Sequence, residues 1–167
     1  MVLAEIVGGR DILDTWVPID GFDPYEVSDQ GVVRNSNTGR ILKQYDNGRD
    51  TIFVTLSRGG QKYSKSVRRL VATTFIGEPM EDDVAIPIDG DYSNNRADNL
   101  VWKPMWFAVR VKAQRRRTEP LYSFRIEEIA TGRIFENSLE AANALDKLED
   151  DIVRAVDVGY RYQRLIF

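Results

Sequence analysis

The chain has 167 residues, 43% hydrophobic and 29% charged, enough for one sizeable globular domain or two small ones and too apolar for a disordered segment. It contains no cysteine and no histidine, which removes disulfides, zinc fingers and every Ser-His-Asp or Cys-His arrangement, and leaves oxygen atoms as essentially the only ligands for a hard metal ion. A net charge of −3 and a pI near 5.1 are low for a simple nucleic-acid binder, no apolar run reaches membrane-spanning length, and the opening MVLAEIVGGR does not read as a secretory leader.

Turns are predicted at Asp20-Gly21 and Asp29-Gln30-Gly31, with short strands of alternating apolar residues between them. Asn37-Thr38-Gly39 makes a further turn, so Val32 to Asn35 and Arg40 to Gln44 are expected to pair as a hairpin. Thr51 to Ser57 sets Ile52, Val54 and Leu56 on one side and Phe53 and Thr55 on the other. Arg58-Gly59-Gly60 then turns the chain into Gln61 to Val67, a second hairpin. From Val67 the period becomes helical through Leu70, Val71, Thr74 and Phe75, with Arg68 and Arg69 on the rim.

Between Gln61 and Phe75 stand Lys62, Lys65, Arg68 and Arg69 with no acid, whereas Glu78 to Asp91 holds six acids and no base. Val84 to Ile88 is an extended apolar run ending at an Asp89-Gly90 turn, and Pro87 within it predicts an edge strand. Asp89, Asp91 and Ser93 share the spacing that opens a calcium loop. That reading fails because Asn94 stands where glycine is needed and Leu100 where a bidentate glutamate belongs. Met105 to Glu119 reads as a connector, and Lys103, Arg110, Lys112, Arg115, Arg116 and Arg117 form a second acid-free basic stretch.

Three stretches resemble one family. Trp16, Pro18, Ile19, Gly21, Phe22, Tyr25, Val27, Ser28, Gly31, Val33 and Arg34 fit a W-x-P-I-x-G-F, Y-x-V-S-x-x-G-x-V-R pattern similar to the β-rich module ahead of the core in phage and intron HNH homing endonucleases. Asp89, Gly90, Asn94, Asn95, Arg96, Asn99, Leu100 and Trp102 stand in register with the HNH core, preceded by Val67, Leu70, Val71, Ala72 and Phe75. Thr131, Gly132, Phe135, Ser138, Ala141, Ala142, Leu145, Ile152, Arg154, Ala155, Gly159 and Tyr160 fit the small helix-turn-helix module that often closes such proteins.

The resemblance implies an α+β fold: a β-rich module over 1–65, a ββα core over 66–103 whose helical part opens at Asn95 to Leu100, a basic linker over 104–119, and a helix-turn-helix module over 120–167. In that module Ser138 would be an N-cap, Leu139, Ala142 and Leu145 a buried stripe, and Gly159-Tyr160 the start of a strand. The acids Glu149, Asp150 and Asp151 open the second helix, where they favour its dipole and oppose phosphate. Trp16, Phe22, Tyr25 and Trp102 fall on family core positions, which implies packing.

The family places a metal ligand and a general base where Ile86 and Pro87 stand, a histidine where Arg68 stands, and a further ligand near Ala108. Asp89, Asn95 and Asn99 are retained motif residues, with Asn95 and Asn99 read as structural hydrogen bonders. An isoleucine offers a metal no lone pair and a proline has no titratable side chain. The lost base alone is worth about two to four decades of rate. The expectation is therefore a DNA-binding protein derived from an HNH homing endonuclease, without catalysis and without a cofactor, phage-encoded and cytoplasmic. It would grip duplex phosphates through Lys62, Lys65, Arg68, Arg69, Arg110, Lys112, Arg115, Arg116 and Arg117. Two alternatives stay open: a protein-interaction module, such as an inhibitor of a host enzyme or a part of a phage assembly, and a magnesium-dependent nuclease rebuilt around Asp89, Asp91 and Asn99.

Overall fold

The computed structural model describes the backbone of residues 14–163 and the side chains of residues 14–157. The leading residues 1–13 of the expected N-terminal module and the closing residues 164–167 lie outside that range. The chain divides into two compact units, one formed by residues 1–78 with 93–98 and the other by 79–92 with 99–167, so the expected 66–103 core is shared between them.

In the first unit, strands β1 (Trp16–Pro18), β2 (Tyr25–Ser28) and β3 (Val33–Asn35) form an antiparallel sheet in that order. Its turns follow the glycines. Gly31 sits at a φ of +80°, and an added Cβ would come within 2.9 Å of the Asn95 carbonyl oxygen, so both conformation and space demand glycine there. Strands β4 (Gln44–Asp46), β5 (Ile52–Arg58) and β6 (Gln61–Ser66) form a second antiparallel sheet. The β5–β6 hairpin and the alternation along β5 are as expected, with Val54 and Leu56 fully buried. Helix α1 (Val67–Phe75) follows at once, its first turn capped by the Ser66 hydroxyl, which accepts from the Arg69 N–H. Val67, Val71 and Ala72 bury its inner face, and α1 contacts β2, β5 and β6.

The hairpin expected between Val32 and Gln44 is reduced to a single bridge, Arg34 to Ile41. The Asn35 side chain closes the turn by accepting from Asn37 and Thr38, while Gln44 leaves to pair with Val54 of β5. The turn chemistry was correct, but the long β5 strand offers the following residues a better partner.

In the second unit, β7 (Asp83–Pro87) and β8 (Leu100–Pro104) pair antiparallel, and α2 (Met105–Gln114) follows directly. This is a ββα unit with its helix later than expected. Asn95 to Leu100 opens no α-helix; a short 3-10 turn at Ala97–Asn99 feeds β8, and the stretch read as a linker supplies the helix. Met105, Trp106 and Val109 lie exposed on α2, which blurred the amphipathic period that would have marked it.

The tail begins with the hairpin β9 (Ile126–Glu128) and β10 (Arg133–Phe135), then α3 (Ser138–Ala144) and α4 (Glu149–Gln163). Ile126, Phe135, Ala141, Ala142 and Ile152 form its core, with Leu145 and Val156 against it. The cap of α3 is Asn137 and not Ser138, since the Asn137 side chain accepts from the Glu140 N–H while Ser138 turns inward and is buried. The strand expected at Gly159-Tyr160 is absent, because α4 continues through both residues. Among the described residues no helix is long and apolar enough to cross a membrane.

Candidate functional site

The ββα unit brings together the two positions at which the resemblance sets metal ligands. Ile86 of β7 and Ala108 of α2 belong to one apolar cluster with Val111 and Leu148, flanked by Val84, Val101 and Phe107. Ile86 is 2% exposed, and the neighbouring Pro87 side chain is fully buried. Hydrocarbon fills the space between this strand and helix. A divalent ion needs oxygen ligands there and finds none on Ile86, Pro87 or Ala108. Among the described residues no group of three or more Asp, Glu, His or Cys side chains could hold a metal.

Of the retained polar residues, Asp89 and Asn99 brace the hairpin. Asn99 donates from its amide to Asp89 Oδ1 at 3.0 Å and accepts from the Asp89 N–H at 3.1 Å, while its carbonyl accepts from the Ile88 N–H at 2.7 Å. Asp89 Oδ1 also accepts from the Asp91 N–H at 2.8 Å. Asn95 is buried against Gly31 and donates to the Ser93 carbonyl at 3.3 Å. Beside it, Arg96 grips Asp98 through two bonds, which hold the Asp98 carboxyl below its ordinary range.

Arg115 completes the brace. Its guanidinium donates to the carbonyls of Pro87 at 3.0 Å and Ile88 at 2.9 Å, and its stem lies against Gly90 at a φ of +81°, where an added Cβ would come within 3.1 Å. It was expected on DNA phosphate, yet its side chain is only 14% exposed. Arg110 and Arg117 are also engaged, with Asp150 at 2.7 Å and Glu149 at 2.8 Å, and Lys103 pairs with Asp146 at 2.9 Å. Lys112 lies over the Tyr92 ring, and Arg116 is exposed. The basic stretch of the sequence is thus largely met by the acids of the tail.

In the first unit the predicted cations diverge. Lys65 turns to the inner side of its sheet, 4.8 Å from the Phe22 ring centre. Arg68 reaches the Asp50 carbonyl and the Thr51 hydroxyl at 3.5 and 3.4 Å. Arg69 is exposed and shares a shallow pocket with Lys65, Asp20 and Glu78. Lys62 lies on the outer side, where register places it opposite Ser57, next to the Thr55–Ser64 and Tyr45–Phe53 pairs.

A groove of about 830 Å³ opens on this outer face, lined among others by Arg40, Lys43, Tyr45, Thr55, Ser57 and Lys62. No carboxylate lines it. Hydroxyls, a tyrosine stacked on Phe53 and three lysine or arginine side chains make a surface able to hold phosphate and to offer hydrogen bonds to base edges. Arg40 and Lys43 were missed from sequence because they lie in a segment assigned to the wrong hairpin. The signal was the parity of β4 with Phe53 and Thr55.

Residues 14–57 match the NUMOD4 motif model. The chain is 38% identical over 87 residues to the uncharacterized HNH endonuclease L245 of Acanthamoeba polyphaga mimivirus, and 39% identical over 88 residues to L247 of the same virus. Each alignment covers 52% of this chain, but the chain spans only 26% and 22% of the lengths of those relatives. The structure described under "DNA binding and cleavage by the HNH homing endonuclease I-HmuI" aligns with a TM-score of 0.56 at 24% identity, over 83% of this chain and 87% of that one, a likeness of fold. The class defined by fold and motif is that of a NUMOD4-bearing ββα protein. The chain thus carries a NUMOD4 motif, is similar over about half of its length to viral HNH endonucleases, and shares its fold with an HNH homing endonuclease.

Proposed function

We propose that this protein binds duplex DNA through the outer face of the β4–β5–β6 sheet and does not cleave it. The observation that carries the reading is the acid-free groove with Arg40, Lys43 and Lys62 in the NUMOD4-containing unit. Charge supports it as well. The first unit holds eleven acids and eleven bases, while the second holds fifteen and twelve and so carries the whole net charge of −3. A sheet face can enter a major groove, with cations on the flanking phosphates and short polar side chains at base edges. Ile86 packed against Ala108 supports the absence of cutting, because no side chain there can activate water or hold an ion. The reading requires no cofactor, and it includes a phage-encoded protein acting in the host cytoplasm.

Fluorescence anisotropy of a labelled duplex, titrated across salt with a parallel cleavage lane containing magnesium, tests this. Salt-sensitive binding is expected, with a slope of about −0.9 per neutralised phosphate and no product. Efficient magnesium-dependent cutting would overturn the catalytic half. Salt-insensitive or absent binding would favour a protein-interaction module, for which Met105, Trp106 and Val109, each more than half exposed on α2, are the supporting observation.

A further inference from the structure

We infer that the end of β8 and α2 together carry a second, latent phosphate-binding strip whose cations are held in reserve by carboxylates of the chain's own tail. The inference deepens the DNA-binding reading and rests on it. Phe107, Arg110 and Gln114 are spaced by steps of three and four, which puts them along one face of α2, with Lys103 just before the helix in β8 and Arg117 just after it. That face meets the tail. Gln114 donates to the Asn143 side chain and the Lys147 carbonyl, both at 3.0 Å, and accepts from the Glu149 N–H at 2.7 Å. Three ion pairs run alongside: Lys103 with Asp146, Arg110 with Asp150, and Arg117 with Glu149.

The three carboxylates differ in how firmly they are held. Glu149 is buried and accepts from Arg117, from the Leu121 N–H and from the Ser138 hydroxyl, so it anchors the tail. Asp150 and its partner Arg110 are each about half exposed. Asp146 uses one oxygen on Lys103, while its buried Oδ1 accepts no hydrogen bond and lies 3.7 Å from Arg115. A backbone phosphodiester offers the same single charge and, like a carboxylate, two terminal acceptor oxygens, so it can take the place of either aspartate. Asp146 and Asp150 are therefore the exchangeable part of the clamp, with Lys103 and Arg110 as the cations released to DNA, while Glu149 keeps the tail docked.

Asp146→Asn/Asp150→Asn tests the idea on the full chain. Asp146 has a φ of +50°, a conformation that asparagine adopts readily, and Asp150→Asn alone, at the more exposed pair, serves if the double variant unfolds. Duplex affinity is expected to rise about tenfold at moderate salt, and the salt slope to steepen by about 0.9 for each cation released. Wild-type binding with no change in the variants would overturn this inference and leave the groove reading intact. Binding by the variants alone would support the strip and overturn the groove. Silence from both would overturn both.

Discussion

The outer face of β4–β5–β6 and the segment around α2 hold cations in comparable number and opposite circumstances. On the sheet, Arg40, Lys43 and Lys62 border a groove that no carboxylate lines. Around the helix, Lys103 at the end of β8, Arg110 on α2, and Arg115 and Arg117 just after it are met by Asp146, Asp150 and Glu149. A run of like charges along a chain therefore says little about the surface it makes, since partners some thirty or more residues away decide whether the charge faces outward. The sparser set, drawn from separate segments, is the better candidate for holding phosphate.

The largest test removes the sheet's side of the comparison. Arg40→Ala/Lys43→Ala/Lys62→Ala is expected to weaken duplex binding by on the order of a hundredfold in anisotropy titrations and to flatten the salt slope by about 2.7. An undiminished slope would move the interface elsewhere. The next test breaks the helix's side. Glu149→Ala leaves Arg117 without its partner and the Leu121 N–H and Ser138 hydroxyl without an acceptor, and should cost about 3 kcal/mol in denaturant unfolding.

Gly31→Ala sharpens the comparison from the sheet's scaffold. The Gly31 carbonyl accepts from the Gln44 side chain at 2.7 Å, and Gln44 opens β4 beside the groove. The substitution should destabilise the protein by about 2 kcal/mol in the same assay, and by more than Gly39→Ala, where the positive φ is shared but no atom lies near an added Cβ.

The smallest effect concerns another tail carboxylate. Asp157 accepts from the Tyr122 hydroxyl at 2.8 Å, and that bond holds the phenol above its ordinary range. Because the folded-state value is the raised one, the contribution to stability is present at neutral pH and is lost as alkaline pH passes through it. Ultraviolet titration should find Tyr122 ionising late, and Asp157→Ala should bring its ionisation back toward the ordinary phenol range.

Much of this was legible in the sequence. Gly59-Gly60 marked the β5–β6 hairpin, and the helical spacing after Val67 marked α1. Asp89 and Asn99, read as a motif remnant and its brace, do hold the same turn. The pairing of Ile86 with Ala108 was implicit once both stood at expected ligand positions. What stayed hidden depended on distance or on an irregular pattern. α2 was concealed by its exposed Met105, Trp106 and Val109, and the groove by a strand that chose β5 over β3. Arg115 gave no sign that its partners would be main-chain carbonyls far back in the chain.

The apolar cluster joining β7 to α2 also bears on what a metal site there would demand. Pro87→His alone would set an imidazole at a position shut off from solvent, beside an Ile86 whose helix neighbour Ala108 has no ligand to offer, so it would acquire neither water to activate nor an ion to assist it. Several substitutions on strand and helix would have to arise together, each a burden on packing until the last was in place. No single change can build an ion site across that interface.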